Sequence, residues 1–204
     1  MTTIQALMID VDGVVITGSA DGTPWHSRLL ADLGIRYDEL QEKFFAIHWR
    51  EVTTGRADLG DRLAPVLASI APDVRIEDFI AYWHSRDSAV DRDVLDAVDR
   101  ARRRGLQAML VTNQDHDRSR YLWRELELER HFDDMLYSAA LGVRKPASAF
   151  FRAAEKRTGL TPSAHLLIDD SDENVLAAQV EHWNAVKWTR QSDLDKLLAA
   201  LVAK

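Results

Sequence analysis

Asp10 and Asp12 are the residues around which a chemistry for this chain can be built. They close the stretch Leu7-Met8-Ile9-Asp10-Val11-Asp12-Gly13-Val14-Val15. The apolar run from Ile4 to Ile9 reads as a strand buried on both faces, too short for a core helix. Asp10 then stands at the strand's carboxyl end, where open α/β sheets place their ligands. Residues two apart in an extended backbone project to the same side. Two such carboxylates are costly neighbours unless a cation or a proton neutralises one of them. The spacing therefore calls for a metal or for proton transfer. An ordinary Asp-Gly turn is the simpler alternative. A calcium loop fails, because its fifth, sixth and twelfth positions would be Val14, Val15 and Asp21.

Residues further along favour the catalytic reading. A second strand, Leu106 to Val111, ends on Thr112 and Asn113. A short third strand, Met135 to Tyr137, leads to Gly142-Val143-Arg144-Lys145-Pro146. A fourth, Leu166 to Ile168, ends on Asp169 and Asp170. A fifth spans Ala185 to Trp188.

The intervening segments have helical spacing. Arg92 to Arg104 stops at Gly105, which fits a left-handed cap. Others run around Ser119 to Glu129, from Pro146 in a first turn to Gly159, and from Asp172 to His182. A last one carries Leu194, Leu197, Leu198 and Leu201 inward behind a Ser192/Asp195 capping box. Strands alternating with helices predict a mostly parallel five-stranded sheet. Between the first strand and the rest lie four amphipathic helical patterns. Their apolar positions are Trp25, Leu29, Leu30 and Leu33; Leu40, Phe44, Ile47 and His48, with Asp38 as cap; Leu59, Leu63, Val66, Leu67 and Ile70; and Ile76, Phe79, Ile80 and Trp83. One stripe per helix predicts a small bundle. The expected division is a discontinuous α/β core of residues 1–16 and 88–204, with a helical cap at 17–87.

Four polar strand ends in this order resemble the haloacid dehalogenase superfamily. Its motifs are matched by Ile9-Asp10-Val11-Asp12-Gly13, Val111-Thr112-Asn113, Lys145-Pro146 and Asp169-Asp170-Ser171-Asp172-Glu173-Asn174. The inserted helices resemble the cap of sugar-phosphate phosphatases and β-phosphoglucomutase, and the fourth motif that of the phosphatase domain of soluble epoxide hydrolases. The resemblance implies a Rossmann-like core with strand order 5-4-1-2-3. It also implies Asp10 as nucleophile and Asp12 as general acid and base, with Lys145 as charge neutraliser and Thr112 and Asn113 as holders of phosphoryl oxygens. Magnesium would be bound by the Asp10 carboxylate, the Asp12 carbonyl and Asp170, with Asp169 and Asn174 behind them. A departure is His182, where relatives often carry glycine, so a changed turn is expected. In the cap, Thr53-Thr54-Gly55-Arg56 breaks between two helices. Arg56 is a candidate to grip a second polar group of the substrate, with Trp49 as an aromatic wall; a solvated turn is the alternative.

Composition narrows the class. The chain has 204 residues, 46% of them apolar and 29% charged, and a net charge of −7. That acidity argues against nucleic-acid or anionic-membrane partners. The absence of cysteine is compatible with a reducing cytoplasm. No secretory leader is expected, because the first residues lack a basic and apolar pattern, and no uncharged apolar stretch approaches about 20 residues. The expectation is a cytoplasmic, magnesium-dependent phosphatase for a small phosphorylated metabolite. A phosphomutase or a silent phospholigand-binding protein are the alternatives. A dehalogenase or a phosphonatase is disfavoured, because such relatives lack a second acid like Asp12.

Overall fold

The computed structural model describes residues 4–202, the side chains of 201 and 202 excepted. Five strands pair in parallel: β1 (Ala6–Ile9), β2 (Gln107–Thr112), β3 (Asp134–Tyr137), β4 (His165–Asp169) and β5 (Asn184–Lys187), in the order β3-β2-β1-β4-β5. β1 lies at the centre, so its carboxyl end is flanked by those of β2 and β4. Helices cover both faces, which is why β1 is apolar at every position. Leu7 and Ile9 face Val94, Leu95 and Val98, together with Leu194 and Leu198. Ala6 and Met8 face Phe150, Phe151, Ala154 and Ala178.

The inserted segment contributes α1 (Leu29–Leu33), α2 (Tyr37–Leu40), α3 (Ala46–Thr53), α4 (Leu59–Ile70) and α5 (Ile76–Arg86). They enclose a separate core of Leu29, Leu40, Phe44, Val52, Leu59, Leu63, Leu67, Phe79 and Trp83. Entry and exit run side by side: Thr17 N–H donates to Ala89 O and Ala89 N–H to Gly18 O, both at 2.8 Å. The core resumes with α6 (Arg92–Arg103), α7 (His116–Arg120), α8 (Ser138–Leu141), α9 (Ser148–Thr158), α10 (Asp172–Val180) and α11 (Leu194–Val202). No helix among the described residues is long and apolar enough to cross a membrane.

Several local expectations are corrected. A π-helical turn at Gln41–Phe45 joins α2 to α3. Its wider pitch rotates the succeeding turns of α3, so Ile47 faces solvent while Phe45 and Trp49 turn inward. Leu30 is also exposed. Asp38 lies inside the first turn of α2, paired with Arg36, and caps nothing. α7 starts at His116 because Asp115 caps it, earlier than the periodicity around Ser119 suggests. Pro146 precedes α9, because the main chain of Lys145 is tied to Asn113 and the helix forms only from Ser148. For α11, Asp193 accepts from Lys196 N–H while Ser192 turns back to Thr189; the Leu201 side chain lies outside the described set. His182 adopts φ +64°, in the left-handed region that favours glycine.

Candidate active site

The site forms where β1, β2 and β4 end. Asp10 N–H donates to Ile168 O at 3.0 Å, fastening the end of β1 to β4. The chain then tightens, and the N–H groups of Val14, Val15 and Ile16 all point to Val11 O. Gly13 has φ +78°, and a Cβ there would stand 2.2 Å from Asp170 Oδ2. Glycine thus serves both the dihedral and the close approach of the β4 loop.

Carboxylate oxygens of Asp10, Asp169 and Asp170 lie within 4.8 Å of one another. Lys145, 1% exposed, reaches in from the loop after β3. Its Nζ lies 3.1 Å from Asp10 Oδ1 and 2.6 Å from Asp169 Oδ2. Asp169 also accepts from Ser171 N–H and from the Asn174 amide. With its oxygens so occupied, Asp169 is a support, and Asp10 and Asp170 are left to a cation. Hard oxygen donors around uncompensated negative charge suit magnesium.

Charge is finely opposed here. Burial pushes the Asp10 carboxyl well above its ordinary value; Lys145 opposes the shift, and Asp169 and Asp12 add to it. Burial works against the Lys145 ammonium, yet the two carboxylates outweigh it and hold its pKa up. Asp170 is raised, chiefly by burial and then by Asp169. Asp12 is open to the cleft but ringed by protein, and burial pushes it up to about 6 against the pull of Arg118. A carboxyl with that pKa can both hold and release a proton near neutrality.

Thr112 is buried at the end of β2. The Asn113 side chain is committed to the main chain of Lys145, donating to its O at 3.0 Å and accepting from its N–H at 2.9 Å. Asn113 therefore builds the lysine loop. Trp49 is partly buried and packs against the aromatic core of the cap, with ring centroids 5.4 Å from Phe45 and 5.5 Å from Trp83. Arg56 is exposed beside Gly55, whose Cβ would sit 2.2 Å from Ala139 O, so the cap loop rests on the core.

Two residues are not found by sequence reasoning. Gln114 Nε2 donates to Asp12 Oδ2 at 2.5 Å. Arg118 is buried and donates to Asp87 O and, at 3.5 Å, to His84 O, tying α7 to the cap's exit. Gln114 directly succeeds the Thr112-Asn113 pair, which is the one available signal. Arg118 is hidden because the periodicity starts its helix a turn too late.

The family model for haloacid dehalogenase-like hydrolases matches residues 4–180. This chain belongs to that family of hydrolases. No curated protein matches it closely enough to be compared. Among solved structures, a predicted HAD-like family hydrolase from Porphyromonas gingivalis has a TM-score of 0.81 at 18% identity, each chain covered in full at 100%. A HAD family enzyme from Bacteroides thetaiotaomicron, in complex with magnesium and inorganic phosphate, has a TM-score of 0.73 at 19% identity, covering 95% of this chain and 98% of that one. L-2-haloacid dehalogenase from Xanthobacter autotrophicus has a TM-score of 0.64 at 18% identity, covering 98% and 84%. At these identities the likeness is one of fold.

Proposed function

We propose that this hydrolase is a cytoplasmic, magnesium-dependent phosphatase of a small phosphomonoester, a sugar phosphate or a related metabolite, with no nucleic-acid or membrane partner. The observation that carries the reading is the second acid. Asp12 stands over the cleft beside Asp10, held by Gln114 and kept near a neutral-range pKa of about 6. A haloacid dehalogenation has no leaving oxygen to protonate and no use for such a group.

The Asp10 carboxylate, the Asp12 carbonyl and Asp170 would hold magnesium, which would supply the positive charge that lets a carboxylate meet a phosphate anion. Asp10 attacks phosphorus, so an O–P bond forms to Asp10 and the P–O bond to the alcohol breaks. Asp12 gives its proton to the departing alkoxide. Asp12, now a carboxylate, takes a proton from water as that water attacks phosphorus. The Asp10–phosphorus bond breaks, inorganic phosphate leaves, and Asp12 is protonated again. Lys145 and Thr112 neutralise and hold phosphoryl oxygens, with the N–H groups of Asp12 and Asn113 as further donors.

The test is phosphate release across a panel of phosphorylated metabolites, with magnesium and with chelator. Magnesium-dependent release from at least one ester is the expected result. Release of halide from a 2-haloacid without phosphate release would overturn the reading. Conversion of a sugar 1-phosphate to its 6-phosphate would move it to a mutase, and binding without turnover to a sensor.

A further inference from the structure

Resting on the phosphatase reading, we propose that Gln114 is a positioning residue that aims Asp12, and that it is set by docking of the cap loop on Ser138 and Ala139. Asp12 is exposed at the site, and among the described residues its carboxylate has one hydrogen-bond partner, Gln114. The leaving alcohol and the incoming water occupy the same apical place, in line with the bond between Asp10 and phosphorus. One pose of Asp12 therefore serves both steps, and holding it is worth a dedicated residue. The Gln114 amide donates to Asp12 Oδ2 at 2.5 Å, which leaves Oδ1 to carry the proton toward the apical oxygen. Gln114 is itself 3% exposed, so its amide does not wander.

What fixes Gln114 is shared with the cap. Its carbonyl accepts from Ala139 N–H at 3.1 Å and from Ser138 Oγ at 3.3 Å. The same Ser138 hydroxyl lies 2.5 Å from Thr53 O in the cap loop. Ser138 is fully buried and has one proton to share between the two carbonyls. Two residues on, Gly55 meets Ala139 O so closely that its absent Cβ would lie 2.2 Å away. Ser138 and Ala139 thus carry the cap loop on one side and the Gln114 loop on the other. Lifting the cap frees the Ser138 proton and loosens the seat of Gln114, so closing over substrate and aiming the acid are one event. Arg118, three residues past Asp115, adds a second tie from this segment to the cap at Asp87 and His84.

The experiment compares kcat/KM, which reports the first phosphoryl transfer, on 4-nitrophenyl phosphate and on the best alkyl phosphate of the panel. The aryl leaving group needs little protonation, and the alkyl one depends on it. Gln114→Met should lose about 10- to 100-fold on the alkyl ester, at least tenfold more than on the aryl ester, since general-acid help is worth about 10²–10⁴-fold when the acid is in place. Ser138→Ala, which touches no substrate, should show the same selective loss on a smaller scale, and the double variant should be no worse than Gln114→Met. Gln114→Leu, which also lacks the donor, repeats the test if the methionine variant folds poorly. Equal losses on both esters, or losses that multiply in the double variant, would overturn the proposal. Crystal structures of wild type and Gln114→Met give a readout without turnover: Asp12 should hold one rotamer in the first and lose it in the second. An unchanged Asp12 sinks the claim. A wild type that releases phosphate from no ester overturns the phosphatase reading alone, and the crystal comparison then decides the positioning.

Discussion

Replacing Lys145 by methionine probes the electrostatics on which the site depends. The ammonium is fully enclosed, 3.1 Å from Asp10 and 2.6 Å from Asp169. Methionine keeps the length and removes the charge, leaving two buried carboxylates facing each other. Breaking a buried ion pair from one side costs about 3–5 kcal/mol. Asp169 keeps its donors from Ser171 and Asn174, so the lower end, about 3 kcal/mol, is expected at pH 8 without magnesium. A chain of this size loses about 2–4 °C in Tm per kcal/mol, hence about 6–12 °C. The loss should depend on pH. Burial already raises Asp10 above the 3.8 of the unfolded chain, and without Lys145 opposing, it rises further. The native state then binds more protons than the unfolded state, so stability is fullest below 3.8 and falls as pH rises toward the folded value. The slope is about 1.4 kcal/mol per pH unit for each extra proton. Urea unfolding at pH 5 and pH 8, in chelator, should show the variant recovering much of its deficit at the lower pH. Adding Asp169→Asn should restore part of the stability at pH 8. A deficit below about 1 kcal/mol, or one equal at both pH values, would refute the argument that Lys145 compensates both acids.

Gly13→Ala forces a Cβ to within 2.2 Å of Asp170 Oδ2 at φ +78°, so magnesium affinity measured by calorimetry should fall at least tenfold, whereas Gly18→Ala, with open space around it, should leave magnesium affinity near wild type. Asp12→Asn should form the phosphoenzyme from an aryl phosphate and then stall, giving a burst and then release about 10²–10⁴-fold slower; radiolabel that never stays with this variant, with metal still bound, contradicts the roles given to the two acids. Calcium should support little turnover, since its looser shell tilts Asp10 from in-line attack; equal rates with calcium and magnesium argue against that alignment. Arg56→Ala should impair the best metabolite substrate at least fivefold more than a small aryl phosphate, and equal effects on both would remove Arg56 from substrate choice.

Where the strands end was legible in the sequence. A parallel strand covered on both faces must be apolar throughout, so the first polar residues after each run mark the carboxyl edge of the sheet. Asp10, Thr112, Asp169 and, through its loop, Lys145 are found by that local rule. The double requirement for Gly13 is only half local: its turn is visible in Asp-Gly, its clearance of Asp170 is not. The remaining features belong to tertiary structure. Gln114 and Asp12 meet across 102 residues of sequence, and Lys145 and Asp169 across 24, distances over which no periodicity carries information. Asn113 reads as a phosphate ligand until the loop after β3 folds against it and claims its side chain. In the cap, one π-helical turn shifts the phase of the helix, sending Ile47 outward and Trp49 into the aromatic core. The stripe of apolar residues specifies that a helix packs; which residues of it face inward was decided by the neighbours it packs against.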